Sequence, residues 1–465
     1  MSTGVRKSGR GLRTAIRARE RWSARRIALD VLGRVDATDA YANVLLDARL
    51  QRSALPPSDR ALATELAYGV LRWRGALDWQ LTPVLDRPIA ALDPAVRNLL
   101  RLGTYQLTCL TRVPDFAAVD ESVSLAHAVG AGRAAGYVNA VLRRVAGGPG
   151  HPPPDAVADP RAYWTGPGSH PAWLVDRWLG RLGHEEAAAL MAANNRVPPL
   201  VVVVNRLKAD ADDLGRVLRD AVPQGVPGRF VPGAFVCRGA GSPRELPGFA
   251  QGLFLPMDEA GAIPVLALDL APGQHVLDAC AGGGGKSALV AASVGPTGEV
   301  LALDRSPRAI RRLGEAAARL GLASVHATLY DACLAGEAWT GRFSRVLLDA
   351  PCSGLGTLRR RPEIKWRRRP EDLPRAAALQ TALLAGVAGA VAPGGLLVYS
   401  TCSPEPEETD EVLEAFLARH PEFAPEAPGP DLQAFADPAR PGVLRAWPHR
   451  HGTDGFFVAR LRRGA

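Results

Sequence analysis

Residues 275–286 read HVLDACAGGGGK, and this stretch decides how the C-terminal half of the chain folds. An apolar run that ends at Asp278 is typical of a buried strand, and the glycines from Gly282 to Gly285 let the backbone turn tightly beside a ligand. Further strand candidates, separated by helical stretches, follow at 299–303, 345–349 and 395–400. This alternation predicts an α/β domain whose parallel sheet is covered by helices on both faces.

Acidic residues at later strand ends indicate what the glycine loop binds. Ligands of such sheets bind outside the carboxyl ends of the strands. There Asp304 can accept both hydroxyls of a ribose, and Asp331 can hold an adenine amino group. A phosphate-binding P-loop would need glycine where Cys280 stands, and Lys286 interrupts the dinucleotide-binding pattern. The loop therefore favours an adenosyl cofactor, with a simple tight turn as the other interpretation.

Two cysteines each follow a strand candidate. Cys352 closes VLLDAPC (346–352), and Cys402 lies in LLVYSTCS (396–403). A thiolate that attacks C6 of cytosine turns C5 into an enamine-like carbon that can take a methyl group. This route needs a carboxyl group at N3, which Asp349 can supply, and a positive setting that Lys286 and the basic loop after Cys352 can provide. The pattern predicts covalent chemistry on a nucleobase.

Length and composition narrow the classes of protein to which the chain can belong. A chain of 465 residues with 47% hydrophobic content predicts two or three soluble domains. We find no bilayer-spanning run and no apolar N-terminal stretch, so a cytoplasmic protein without membrane contact is expected. The six cysteines form no Cys-x-x-Cys pair, which argues against a metal site or a disulfide framework. Cys109, Cys237 and Cys333 are interpreted as inert thiols.

Changes in composition and in the spacing of apolar residues divide the chain into four predicted segments. Residues 1–21 form a basic arm suited either to nucleic-acid phosphates or to a solubilising tail. Residues 22–147 form a helical bundle, 148–249 a linker and small connecting domain, and 250–463 the α/β domain.

A cluster of cations lies between the two thiols, with Trp366 among them. Such a cluster favours a clamp for RNA phosphates and an unstacked base over a merely solvated face. The predicted RNA-binding residues are Arg359, Arg360, Arg361, Lys365, Arg367, Arg368 and Arg369.

Several segments carry a family resemblance. DAPCSGLG (349–356) and STCSPEPEE (400–408) resemble motifs IV and VI of the NOL1/NOP2/Sun family of RNA cytosine-C5 methyltransferases. RRRPEIKW (359–366) and GTDGFFVA (452–459) are similar to further segments of that family. ELAYGVLR (65–72) and YVNAVLRR (137–144) resemble the NusB-like RNA-binding domain. The combination is typical of the RsmB (Sun/Fmu) type, which methylates small-subunit (16S) ribosomal RNA.

The resemblance implies a Rossmann-like S-adenosylmethionine-dependent methyltransferase sheet, preceded by an all-α NusB-like bundle and a small α+β connecting domain. It implies Cys402 as nucleophile and Cys352 as the group that assists release of the methylated product. Asp349, as the partner of N3, completes the predicted catalytic residues. The cofactor residues it implies are Cys280, Ala281, Gly282, Gly283, Gly284, Gly285, Lys286, Asp304, Asp331 and Asp349. The expected partner is small-subunit ribosomal RNA, and a monomer is expected.

One departure from the family pattern concerns the cofactor loop. Gly282-Gly283 replaces the usual Ala-Pro, which predicts a more flexible unbound loop and weaker cofactor binding. Alternatives to the main prediction are a transfer-RNA or other ribosomal-RNA substrate, an ATP-using RNA enzyme, and a non-catalytic assembly factor with inert thiols.

Overall fold

The computed structural model describes residues 22–148 and 152–465, so the predicted basic arm at 1–21 lies outside the described residues. The chain forms two compact units. Unit 1 contains the described residues up to Asn195 together with Arg361–Arg367, and unit 2 contains 196–360 and 368–465. Within the described part of the chain, no helix is both long and apolar enough to cross a membrane.

Unit 1 is helical. Residues 22–147 form the bundle that the sequence predicts, and residues 152–195, which were expected in the connecting region, add three further helices to this unit. Its long helices begin at caps or prolines that the sequence supplies, such as Ser23, Asp93 and Asp159, whose side chains accept backbone N–H groups. The apolar stripes pack inward, with Leu66, Leu99 and other members fully buried. The helices are α1 Ala24–Ala37, α2 Ala42–Gln51, α3 Pro57–Leu81, α4 Pro94–Cys109, α5 Asp115–Ala128, α6 Ala135–Ala146, α7 Pro160–Thr165, α8 Ala172–Leu182 and α9 His184–Asn194.

Helix α3 bends at Trp73, whose backbone angles (φ −102°, ψ 15°) are not helical. Beyond the bend, the Gly75 amide donates to the Ser169 hydroxyl (3.0 Å), and that hydroxyl donates to the Arg72 carbonyl (3.0 Å). The carbonyls of Leu71 and Arg72 also accept side-chain donors at this bend. They receive them from the segment 361–367, which contains the short helix α15 Ile364–Arg367.

Unit 2 begins with a small α+β region. The predicted strand of consecutive valines is β1 Leu200–Val204, at the centre of an antiparallel sheet in the order β2-β3-β1-β4. Its other elements are α10 Ala211–Leu218, β2 Val226–Pro227, β3 Ala234–Cys237 and β4 Phe254–Pro256. β4 pairs with β1. The small sheet therefore extends past residue 249, the domain boundary that was predicted from the glycine-rich loop at 221–249.

The remainder of unit 2 is the predicted Rossmann-like sheet. Strand order is β10-β12-β9-β8-β5-β6-β7, with β11 paired to β12. The five strands from β5 to β9 are parallel, and the others add antiparallel pairs that the sequence analysis did not anticipate. The strands are β5 His275–Asp278, β6 Glu299–Asp304, β7 Val325–Leu329, β8 Phe343–Asp349, β9 Val391–Thr401, β10 Phe423–Pro425, β11 Val443–Ala446 and β12 Phe456–Arg463. The helices are α11 Glu259–Leu266, α12 Gly285–Val294, α13 Pro307–Leu320, α14 Ala335–Ala338, α16 Asp372–Ala388, α17 Asp410–Arg419 and α18 Pro448–His451.

Candidate active site

The two cysteines singled out by the sequence lie side by side. β8 and β9 are parallel neighbours, with Asp349 in register with Ser400. The turns that follow these strands therefore start at the same edge of the sheet. They bring the sulfur atoms of Cys352 and Cys402 to 3.1 Å from each other, and both residues are half-buried.

Glycines allow the first turn to pass close to the second. Gly354 has a positive φ of +80°, which favours glycine. At Gly356 a Cβ atom would lie 2.2 Å from the Gly455 carbonyl oxygen, so only glycine fits there. The Gly356 amide also donates to the Cys402 carbonyl oxygen at 2.9 Å. The loop after Cys352 is thus held against the strand end that carries Cys402.

A fully buried carboxylate connects the two cysteine turns. Glu408 accepts the Ser353 amide (2.6 Å) and the Ser403 hydroxyl (2.5 Å), and it also accepts the Ser353 hydroxyl. Gln380 donates to Glu408 at 3.1 Å and to the Pro351 carbonyl at 2.9 Å. Each serine directly follows one of the cysteines, so this single carboxylate sets the position of both thiols. Glu408 lies in the family-like segment 400–408, but neither its role nor that of Gln380 was predicted, because no spacing rule pairs these residues with the two turns.

Asp349 and Lys286 form an ion pair beside the thiols. Lys286 Nζ lies 2.6 Å from Asp349 Oδ2, and the Ser400 hydroxyl donates to the other carboxylate oxygen at 2.8 Å. Burial alone would lower the pKa of Lys286, but the charge of Asp349 and the hydrogen bond to it raise that pKa above its ordinary value. The negative charge of Cys402 raises the pKa of Lys286 further, so a thiolate at Cys402 is stabilised by this ammonium.

The two thiols do not share one environment. The hydrogen bond to Cys402 is the main cause that raises the pKa of Cys352 well above its ordinary value, followed by burial and the charge of Cys402. The Cys352 thiol is therefore protonated at neutral pH.

The glycine loop leads from β5 into α12. Asp304 accepts the Gly282 amide at 2.9 Å and the Ser306 amide at 2.8 Å, which ties the end of β6 to this loop. Asp331 accepts the Cys333 amide at 3.0 Å as the cap of a short 3₁₀ turn. Open space surrounds the positions where Cβ atoms of Gly282 and Gly283 would lie.

Cys280 and Ala281 contribute backbone rather than reactive groups to this loop. The Ala281 amide donates to the Leu303 carbonyl at 2.8 Å, which aligns the loop beside β6. Burial, followed by the charges of Asp278 and Asp349, raises the pKa of Cys280, so its thiol stays protonated. Gly284 has a positive φ of +82° at the start of α12.

The departure from Ala-Pro has a conformational consequence. Gly282 has a φ of +55°, and a residue before proline is restricted to extended backbone. The loop as it stands is therefore incompatible with Ala-Pro at 282–283. Stiffening it with those residues would require a different backbone path.

The predicted seven-cation RNA clamp requires correction. Lys365 has no exposed surface, because its ammonium donates to the Arg72 and Ser169 carbonyls and to the Asn195 side chain at 2.8–2.9 Å. Four arginines also donate to acceptors of the protein: Arg359 to the carbonyls of Gly452 and Thr453, Arg360 to Asp258 and Asp454, Arg367 to Val35, Thr38, Asp39 and Ala40, and Arg368 to Ser353.

These cations thus hold the fold. Lys286 places a positive charge near Cys402, and a contribution of the loop after Cys352 to the setting of the thiols stays a prediction. Arg361 and Arg369 are exposed and stay predicted RNA contacts.

Three known families match successive parts of the chain. Residues 265–462 match the family described as 16S rRNA methyltransferase RsmB/F. Residues 22–147 match the NusB family, and residues 170–242 match the ferredoxin-like domain of RsmF/B-like methyltransferases.

Individual relatives align over nearly their whole length. The chain is 37% identical over 453 residues to the probable ribosomal RNA small subunit methyltransferase B of Bacillus subtilis strain 168, covering 95% of this chain and 99% of that protein. It is 36% identical over 436 residues to the ribosomal RNA small subunit methyltransferase B of Pseudomonas putida KT2440, covering 92% and 98%. The crystal structure of PH0851 superposes with a TM-score of 0.82 at 26% identity, covering 95% and 98%. The chain therefore belongs to the RsmB/F family of 16S rRNA methyltransferases and uses S-adenosylmethionine as its methyl donor.

Proposed function

We propose that the protein methylates C5 of a cytosine in small-subunit ribosomal RNA through a covalent bond between Cys402 and C6 of the base. The observation that carries this proposal is the pair of sulfur atoms 3.1 Å apart at the ends of β8 and β9, beside the Asp349–Lys286 ion pair. The names of the relatives support ribosomal RNA as the substrate.

The residues at the sheet edge fit the methyl donor. The open space over Gly282 and Gly283 can take an adenosyl group. Asp304 and Asp349 lie at the ends of β6 and β8, Asp331 follows β7, and α12 begins directly after the loop. Bound there, S-adenosylmethionine supplies an electrophilic methyl group. We assign to this site the loop residues Cys280, Ala281, Gly282, Gly283, Gly284, Gly285 and Lys286 as well as the three aspartates.

Protein residues account for each transfer of charge to and from the base. The Cys402 sulfur, stabilised as a thiolate by the Lys286 ammonium, bonds to C6, and the proton that the thiol loses passes to N3. The Asp349 carboxylate accepts the N3–H and so stabilises the ring whose C5 receives the methyl group. Loss of the C5 proton then expels Cys402 as a thiolate, which takes back the proton from N3, and the aromatic ring is restored.

The pairing of the thiols suits Cys352 for removing the C5 proton. Its pKa is raised chiefly by its interaction with Cys402. Once the Cys402 sulfur is bonded to carbon, it carries no charge, so ionisation of Cys352 becomes easier. Cys352 can therefore act as a base in the second half of the reaction, after staying protonated in the first.

Trapping the adduct tests the proposal. With a 16S rRNA transcript and tritiated S-adenosylmethionine, Cys352→Ala should accumulate a protein–RNA adduct that survives denaturing electrophoresis. Cys402→Ala should abolish both the adduct and methylation. The matched control is Cys109→Ala, which removes an exposed thiol of unit 1 and should behave as wild type. Methylation by the Cys402→Ala variant would contradict the covalent mechanism.

Substrate identity needs a separate measurement. Bisulfite sequencing of ribosomal RNA from cells with and without the protein should show one cytosine that loses its 5-methyl group. Transfer-RNA transcripts assayed in parallel should stay unmodified. If only transfer RNA lost methylation, transfer RNA rather than ribosomal RNA would be the substrate.

A further inference from the structure

Unit 1 contains a small charged cavity that the proposed chemistry does not use. Its volume is about 170 Å³, and it lies between α1, α3, α4 and the segment 361–367. The charged and aromatic residues that line it are Asp36, Arg74, Arg97, Glu363, Trp366 and Arg367.

The lining carries one more positive than negative charge. Arg74, Arg97 and Arg367 contribute three guanidinium groups, against the carboxylates of Asp36 and Glu363. Asp36 is shared, because its Oδ1 lies 3.3 Å from Arg74 while its Oδ2 lies 3.9 Å from Arg97. The latter distance is too long for a hydrogen bond.

Hydrogen-bonding capacity is left over on the same guanidinium groups. Within the described parts of the chain, the buried Nε atoms of Arg97 and Arg367 have no acceptor. Arg367 uses its terminal nitrogens on backbone carbonyls, which provide dipoles but no compensating charge. The described residues that line the cavity therefore carry two unpaired donors, one unpaired acceptor at Glu363 Oε2, and an excess positive charge of one.

Two of the arginines that line the cavity are partly exposed to solvent. The side chains of Arg74 and Arg97 keep 25% and 19% of their surface exposed, so a ligand at the surface can contact both. Burial first, and then the charge of Arg101, lowers the pKa of Arg74 to about 10. An anion bound beside Arg74 would offset the repulsion between Arg74 and Arg101.

We propose that this cavity binds one phosphate group of the RNA backbone, an inference that rests on the proposed RNA substrate. A phosphodiester carries one negative charge, which matches the excess on the lining, and its oxygens accept arginine donors in the preferred geometry. Trp366 is not proposed to stack with a base, because its ring already has partners in the protein. The Trp366 indole donates to the Leu71 carbonyl at 2.7 Å, and Arg74 covers its ring at 5.5 Å.

Salt-dependent binding tests the inference on the full-length protein. Fluorescence anisotropy with a labelled 16S rRNA transcript between about 50 and 200 mM KCl gives the affinity and its dependence on salt. Arg97→Ala should raise Kd about three- to tenfold and reduce the slope of log K against log salt by about 0.7 to 0.9, the value for one phosphate contact. Arg97→Lys, which keeps the charge, should restore most of the slope.

Two comparisons separate a binding role from a structural one. Arg161→Ala, which removes an arginine paired with Asp176 in the same unit, makes the same change of net charge and should leave the slope unchanged. Arg97→Gln guards against misfolding of the alanine variant, because it keeps the Cβ–Cδ stem and a polar end group while it loses the charge. Weaker binding with an unchanged slope in both neutral variants would overturn the inference.

The source of the phosphate is resolved by a second probe. Inorganic phosphate should not raise the melting temperature of the wild type more than that of Arg97→Ala. If it does, and the RNA slope is the same for both proteins, the cavity binds a free anion and the RNA assignment is overturned. The inference fails independently of the proposed function, because bisulfite sequencing reports methylation whatever the salt slope of Arg97→Ala.

Discussion

Asp278, at the end of β5, is a residue whose ionisation is governed by burial. It is fully buried, and the Ser287 hydroxyl donates to it at 2.7 Å. Burial raises the pKa of Asp278 to about 6, against the lowering effect of that hydrogen bond. The strand end below the glycine loop therefore contains a carboxyl group that takes up a proton more readily when the protein is folded.

This shift predicts a pH dependence of stability. Because the folded pKa lies above the unfolded one, the contribution of Asp278 is present at low pH and is lost as pH rises through about 6. The free energy of unfolding of wild type minus that of Asp278→Asn should fall by about 2 kcal/mol between about pH 4.5 and 7.5. Urea denaturation at the two pH values measures this difference. Asp431→Asn, an exposed control, should show no such change, and a pH-independent difference for Asp278→Asn would contradict the shift.

At the scale of elements, the site depends on two turns that different strands supply. β8 and β9 lie in register, but register alone leaves the turns after them unconstrained. Glu408, just before α17, and Gln380, on α16, complete the constraint by hydrogen bonds to both turns. A carboxylate suits this place because every group facing it is a donor.

Replacing that carboxylate should impair chemistry more than RNA binding. Glu408→Gln substitutes a donor for one acceptor oxygen, which leaves a serine donor unpaired and displaces a thiol. We expect the single-turnover methylation rate to fall about ten- to a hundredfold, with the RNA Kd unchanged. Glu411→Gln changes an exposed residue of α17 and should keep the wild-type rate. A Glu408→Gln enzyme as fast as wild type would show that the carboxylate does not position the thiols.

At the scale of the whole molecule, the chain order of the two units is interleaved. The segment 361–367 is part of unit 1, although its neighbours on both sides belong to unit 2. Burial first, and then the charge of Arg72, lowers the pKa of Lys365 well below its ordinary value. Three buried acceptors nevertheless face its amino group, so removing this side chain would take a hydrogen bond from each of them.

Unit 1 is therefore predicted to be incomplete without this segment. A fragment spanning residues 22–195 should gain about 5 to 10 °C in melting temperature with a synthetic peptide of residues 359–369 at about 100 times its Kd. The matched peptide with Lys365→Ala should have little effect, because it cannot donate hydrogen bonds to the three acceptors. Differential scanning calorimetry provides the measurement. Equal stabilisation by both peptides would show that Lys365 is dispensable.

The sequence by itself determined the elements and the candidate thiols. Period-2 and period-3.6 apolar patterns, the glycine loop and Asp278, Asp304 and Asp349 are local signals, so the parallel sheet and the bundle were predictable. Pairing across distant segments has no local signal. Only the tertiary structure could show that Lys365 is buried rather than RNA-facing, and that Glu408 joins the two cysteine turns. The physical reason is that a charged side chain has the same local sequence signature whether its partners are solvent or backbone groups brought from elsewhere in the chain.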